Sequence, residues 1–464
     1  MRIEDYQNPS GCPEARPSME AMSLATRSIH EAIDAGIRRR GIPYLHPEDP
    51  TLMLDLFGSA RMTAWQEAKA SCLFEGNACW SELPQVYARY GVESTRKLLG
   101  VVRKLESAGG VILTDCGMQA CALLFDTLFR PGSHAVLMRQ VYNKTRKHLE
   151  WLASRLGGSL SIVDDGDHEA IERAIRKDTV LIFAETYTNP LLRAVDPVRL
   201  GDIVSRARKG LAPGLSLIVD DTIASPWGLR KPLLEHDGID FVVSSGTKCL
   251  GGQDRDLWGY VASRRTDTLN EVMDLQAMRG GVLGWRAAGA ILEGLSAARE
   301  NFERRSRSAE RVAAFLAAHP RVSEVHHPSL RNHPDRETID AHYCLPGSLL
   351  SFRIRDADEN AARHFSDVLA TCIVPRYALS FDGLTTKVNH HRTVSEYFTP
   401  EEELERAGID RIVRIGVGLE EPGDIVACLN WALWWHSKIS PAHVAAWQSD
   451  RARDLGVHDD GSTA

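Results

Sequence analysis

The sequence contains no apolar run near the roughly 20 residues that span a bilayer. Its opening, Met1-Arg2-Ile3-Glu4-Asp5, lacks the basic start and apolar stretch of a secretory leader. Neither export nor membrane anchoring is expected, and the default location is the cytoplasm. Excess positive charge is also missing. Against 55 Lys+Arg stand 62 Asp+Glu, a formal charge of -7, so nucleic acid and anionic lipid are poor candidate partners. The short clusters Arg38-Arg39-Arg40 and Arg304-Arg305 read as solvated helix faces. The nine cysteines, at 12, 72, 79, 116, 121, 249, 344, 372 and 428, form no C-x-x-C pair and no zinc-type spacing. Reduced thiols are therefore expected, and no metal. With aromatics at 7%, hydrophobics at 43% and charged residues at 25%, the composition argues against a disordered or fibrous chain. There is no internal repeat and no low-complexity block.

What is present is length and alternation. A chain of 464 residues calls for two or three packed units. Residues 1–60 read as an N-terminal arm with one amphipathic helix, in which Met22, Ala25, Ile29, Ile33 and Ile37 recur at helical spacing before Gly41 and Pro43. Such a stripe docks on its own subunit or on a neighbour. Over about 95–265, short apolar runs at 111–113, 135–137, 160–163, 180–183, 215–219, 241–243 and 259–261 read as buried strands. Helical stretches such as 117–129 and 143–155 lie between them. The alternation predicts an α/β unit over 61–280, with a mostly parallel sheet covered on both faces and a ligand site at the strands' carboxyl ends. A helical stretch runs through 320 and leads into a smaller α+β unit over 281–440, with strands expected at 348–354, 374–379 and 411–416 and a closing helix near 421–435. Residues 441–464 read as a polar tail that frays.

Three segments at the predicted strand ends carry chemistry. Ser244-Ser245-Gly246-Thr247-Lys248 places a lysine after one buried strand, and Val219-Asp220-Asp221-Thr222 places carboxylates at the end of the strand before it. Alone, Lys248 reads as a solvated loop lysine and either aspartate as a turn residue. Together they are what a pyridoxal-phosphate (PLP) site requires: an amine to form an imine, and a carboxylate to keep the pyridine nitrogen protonated. Upstream, Thr114-Asp115-Cys116-Gly117-Met118 opens a helix whose free amides and dipole suit a phosphate.

Taken in order over about 85–435, these segments resemble the Cys/Met-metabolism PLP family, which includes cystathionine synthases and lyases, methionine γ-lyase and homoserine sulfhydrylases. The resemblance implies an aspartate-aminotransferase-like architecture (fold type I), with a large seven-stranded PLP domain and a smaller C-terminal α+β domain. Ser245-Gly246-Thr247-Lys248 is similar to the family's Ser-x-Thr-Lys, which makes Lys248 the Schiff-base lysine and Ser245 and Thr247 phosphate ligands. It also implies Asp220 at the pyridinium nitrogen, Gly117 and Met118 as phosphate amides, and Tyr142 stacked on the ring and able to act as an acid. Tyr87-Ala88-Arg89-Tyr90-Gly91 resembles the segment whose tyrosine and arginine reach the phosphate of the neighbouring subunit's cofactor. The implied assembly is therefore a homo-oligomer with shared sites, a tetramer built as a dimer of dimers, in which the N-terminal arm makes inter-subunit contacts. Glu185-Thr186-Tyr187-Thr188-Asn189-Pro190 places Asn189 near cofactor and substrate, and Ile412-Val413-Arg414-Ile415-Gly416 resembles the strand whose arginine grips the substrate α-carboxylate.

The implied reaction is γ-elimination or γ-replacement on a small amino acid, with Lys248 moving protons. The alternatives are β-elimination from a cysteine-like substrate and a PLP-binding scaffold without turnover. Departures from the family pattern fall where substrate is chosen. Tyr142-Asn143-Lys144-Thr145 replaces Tyr-Gly-(Gly/Cys)-Thr, and Ser380-Phe381-Asp382-Gly383 replaces Ser-Leu-Gly, with Thr385 where glutamate is frequent. Lys144 reads either as a cation for a polar or anionic substrate end or as a solvent-facing lysine. Ser380 and Lys144 are thus expected to contact substrate, and the departures point to a specialised amino-acid pathway.

Overall fold

The computed structural model describes residues 17–28, 63, 66–72, 88–251 and 254–457. Tyr87, the remainder of the expected N-terminal arm, including Ile29, Ile33 and Ile37, and the last residues of the tail lie outside them.

All seven apolar runs form strands: β1 (Gly110–Thr114), β2 (His134–Met138), β3 (Ser159–Val163), β4 (Thr179–Glu185), β5 (Ser216–Asp220), β6 (Phe241–Ser244) and β7 (Gly259–Ser263). They make one sheet in the order β1-β7-β6-β5-β4-β2-β3. Only β7 runs against its neighbours β1 and β6. Every residue of β1, β2 and β7 is buried, as unbroken apolar runs require when helices cover both faces. One consequence is that β1, β2, β4, β5 and β6 all point their carboxyl ends at the same edge.

The smaller sheet contains β8 (Val322–His326), β9 (Leu349–Ile354), β10 (Arg376–Tyr377), β11 (Lys387–His390) and β12 (Val413–Gly416), in the order β10-β11-β12-β9-β8. The strand expected over 374–379 shrinks to the two residues of β10, while β8 and β11 were not expected. The helix Trp285–Ala318 serves both cores: Ile291 and Phe302 pack with the large sheet, Val312 and Leu316 with the small one. The cores therefore divide inside this helix, beyond the boundary expected at 281.

Two terminal expectations are corrected. Residues 441–464 are not simply a frayed tail, since Pro441–Asp454 is helical. Ser440 accepts a hydrogen bond from the His443 amide and proline occupies the first turn, both of which favour a helix start. At the other end Met22 is buried in the C-terminal core of its own chain, whereas Ala25, placed on the same apolar stripe, is exposed.

Candidate active site

A cavity of about 450 Å³ opens at the carboxyl edge of the large sheet, with part of its wall supplied by the smaller domain. Of the expected residues, Gly117, Met118, Tyr142, Lys144, Asn189, Asp220, Ser245, Thr247, Lys248 and Arg414 all line it. β5 ends on Asp220, and β6 leads directly into Ser245–Lys248. β12 inserts Arg414 from the second sheet.

Close packing fixes the floor. A Cβ on Gly117 would lie 2.8 Å from that of Ser245, so only glycine lets the first turn of the helix Gly117–Leu128 approach the lysine loop. The loop is tied down on its other side, because the Ser245 amide donates to Thr222 Oγ1 at 2.8 Å. Thr247 Oγ1 accepts from the Trp258 amide (2.9 Å) and donates to the Trp258 carbonyl (3.1 Å). Thr247 thus spends its hydroxyl proton on the scaffold, whereas Ser245 has no such engagement.

The electrostatics follow from burial. Lys248 Nζ donates to Ser380 Oγ at 2.6 Å, and its proton affinity is lowered to about 8, first by desolvation and then by the Arg414 cation. Burial pushes Asp220 up to about 6, and among the described residues the only donors upon it are those of Thr222, whose amide lies 2.8 Å from Oδ1. Glu185 is raised by burial and then by Asp220, and it accepts the Tyr142 amide. Burial likewise raises the Tyr142 phenol, so it keeps its proton at neutral pH. Arg414 is 3% exposed, and among the described residues it hydrogen-bonds only to neutral acceptors, Asn189 Oδ1 at 3.2 Å and the Leu379 carbonyl at 2.8 Å. A buried guanidinium without an anion is a costly arrangement that a bound carboxylate relieves.

At the mouth Lys144 Nζ hydrogen-bonds Tyr397 OH at 2.9 Å and lies 5.2 Å from that ring's centre. Arg89 is exposed and lines a different, small cavity with Tyr90, Gly91 and Gln276. It is not brought to Lys248 within this chain. Several site residues escaped the sequence reading. The Phe381 ring lies 5.2 Å from Lys248 Nζ and 5.8 Å from the Arg414 guanidinium carbon. Thr222 ties Asp220 to the lysine loop, and Tyr187, fully buried in the wall, leaves its hydroxyl without a partner among the described residues. Thr222 was legible as the residue closing the Asp220-Asp221-Thr222 turn; nothing in the sequence marked Tyr397.

The donor set fits PLP. A depressed amine suits its aldehyde, a buried carboxylate without a cation suits its ring nitrogen, and helix amides drawn close by Gly117 suit its phosphate.

Residues 68–434 match the family described as Cys/Met metabolism PLP-dependent enzyme, and the chain belongs to it. It is 32% identical to L-methionine gamma-lyase of Fusobacterium nucleatum over 355 residues, 76% of this chain and 87% of that protein. It is also 32% identical to the chloroplastic cystathionine gamma-synthase 1 of Arabidopsis thaliana over 349 residues, 75% of this chain but only 60% of that longer protein. The crystal structure of cystathionine gamma synthase from Xanthomonas oryzae pv. oryzae superposes with a TM-score of 0.69 at 26% identity, covering 76% of this chain and 88% of that one. The fold is therefore type I, the cofactor is PLP, and the relatives' names divide among synthase and lyase activities.

Proposed function

We propose that the chain catalyses γ-elimination or γ-replacement on a small amino acid that carries a leaving group at Cγ. The observation that supports this most is the convergence of Lys248, Asp220 and Arg414 on one cavity. PLP, when bound, supplies an electron sink for the carbanion left at Cα. Ser245, Gly117 and Met118 hold its phosphate, and Asp220 holds its ring nitrogen. Arg414, assisted by Asn189, binds the substrate α-carboxylate and so fixes which Cα–H bond faces Lys248. The lysine amine, with its basicity lowered by burial, takes that proton and returns one later. The Tyr142 phenol, still protonated at neutral pH, is suited to protonate the leaving group. Ser380 orients Lys248 through its 2.6 Å hydrogen bond. Lys144 stands at the mouth, where the distal end of the substrate arrives.

The same reading makes the protein a homo-oligomer in which Tyr87 and Arg89 of one subunit complete the site of the next, as a tetramer of two catalytic dimers; the exposure of Arg89 away from its own cavity supports it. No helix among the described residues is long and apolar enough to cross a membrane, and we place the enzyme in the cytoplasm. The test is a product assay on PLP-loaded protein with amino acids bearing leaving groups at Cγ or Cβ. Release of 2-oxobutyrate, or of a γ-substituted product when a thiol is added, is expected. Pyruvate from β-substituted substrates alone would make it a β-lyase, and no turnover beside an intact imine absorbance would make it a scaffold.

A further inference from the structure

Behind the cavity floor lies a second set of ionisable groups that the proposed reaction does not use. Asp220 faces the cavity, whereas Asp221, next in the chain, is fully buried behind it. Glu106, which caps the helix Glu93–Leu105, and Tyr260 of β7 are also fully buried. Tyr260 OH stands 2.6 Å from Glu106 Oε1 and 3.4 Å from Asp221 Oδ1. The remaining carboxyl oxygens, Glu106 Oε2 and Asp221 Oδ2, are buried without a hydrogen-bond partner among the described residues. The groups facing Asp221 include Glu106, Tyr260, Asp220 of β5, Ser244 of β6 and Cys249 of the lysine loop. Those facing Glu106 are Tyr260 and Asp221.

A phenol has one proton to donate and cannot satisfy two carboxylates. Two carboxylates in contact in a desolvated site cannot both ionise, and the pair titrates as a unit. We propose that Glu106 and Asp221 share a single proton under the Tyr260 hydroxyl, and that the one negative charge left on this pair sets how readily Asp220 ionises toward the cofactor's ring nitrogen. All three are positioning residues. Burial already raises both carboxyls, Glu106 to about 7, which agrees with a retained proton. The proposal rests on the reading of Asp220 given above.

Infrared spectra of the full-length PLP-loaded protein in H2O and D2O test it, together with PLP titrations across pH. In the difference spectrum of wild type minus variant, both Asp221→Asn and Glu106→Gln should show the loss of a protonated-carboxyl stretch that moves in D2O, because the carboxyl left beside a neutral amide ionises, while the buried Glu185 contributes equally to both spectra. PLP affinity should fall as pH drops through the Asp220 transition near 6. Neither substitution changes the single negative charge, but each fixes its place: Asp221→Asn leaves it on Glu106, away from Asp220, and the transition should move down, whereas Glu106→Gln holds it on Asp221, beside Asp220, and the transition should move up. Tyr260→Phe, which keeps the core filled, should shift the stretch. Survival of the band in either carboxyl variant, an unmoved transition, or an unmoved band in Tyr260→Phe would overturn the shared proton. Asp220→Asn separates the two claims: if it leaves PLP affinity unchanged, the role of Asp220 falls, while the infrared comparison still decides the shared proton.

Discussion

The floor and the mouth of the cavity are built differently. The floor is backbone: strand ends, a glycine packed against Ser245, and carboxylates whose positions β4 and β5 dictate. The mouth is side chain. Tyr142, Leu257, Leu379 and Tyr397 line it at 43%, 69%, 70% and 64% exposure, on turns that the sheet does not constrain. Groups locked by strands suit a chemistry common to a family, since misplacing a proton-transfer group is costly. Exposed groups on turns can change without disturbing the fold, which makes the mouth the place where substrate choice varies.

This contrast ranks the expected effects of mutation. The largest belongs to the floor: Lys248→Ala should abolish the borohydride-sensitive imine absorbance and lower kcat by ~10^3-fold, the range of a lost acid–base group. Retention of either would break the assignment. Next comes Arg414→Leu, which should cost ~10^2-fold in kcat/KM, as expected when a buried charged partner is removed. It should also move a second observable. The neutral amine captures PLP, so the capture rate should rise with pH through about 8 in the wild type. Without the Arg414 cation Lys248 holds its proton more firmly, and the inflection should move to higher pH; a stationary inflection would deny that the two cations interact. Arg414→Leu should leave the PLP ring and phosphate contacts unaltered, so a loss of cofactor binding would show the floor to be less rigid than its packing implies.

These floor residues are also the ones a sequence reveals. Unbroken runs such as Leu217-Ile218-Val219 have no partly polar alternative, so both the strand and the residue at its end could be read directly. β11 shows why other parts could not. Three of its four residues, Lys387, Asn389 and His390, are polar in sequence yet buried, because Lys387 pairs with Asp254 at 2.6 Å, Asn389 donates to the Ala378 carbonyl at 2.6 Å and His390 meets Thr393 at 2.8 Å. Polar partners that only the fold brings into place stand in for the apolar signal. β8, Val322-Ser323-Glu324-Val325-His326, is an edge strand with exposed polar positions and carries little pattern of its own. Tyr397 escaped notice for a related reason: only the fold brings it, 253 residues along the chain, to Lys144.

A middle-sized effect tests where the floor ends and a second subunit begins. Arg89→Ala and Lys248→Ala proteins should each be nearly inactive. When unfolded together and refolded, they should regain roughly a quarter of the wild-type sites, since half of randomly paired dimers are mixed and each mixed dimer carries one intact site. Mixtures that stay inactive would confine the site to one chain and leave Arg89 as an ordinary surface arginine.

The smallest effect belongs to the mouth. Lys144 is exposed, held by a phenol and by the faces of Tyr397 and Phe398, and these partners leave its charge uncompensated. If it meets an anionic substrate end, Lys144→Met should lower kcat/KM for substrates with a distal negative charge by about 2- to 5-fold, the modest scale of a solvent-screened pair. Neutral analogues should be unaffected. Adding salt should shrink the difference in the wild type and do nothing in the variant, because exposed charges are screened over about 8 Å at physiological ionic strength. Tyr397→Phe should reproduce part of the loss by freeing the ammonium without removing it. A salt-independent loss shared by charged and neutral substrates would instead make Lys144 a packing element of the rim, and substrate choice would then have to lie deeper, at Phe381 and Ser380, on the side of the cavity that the small sheet holds in place.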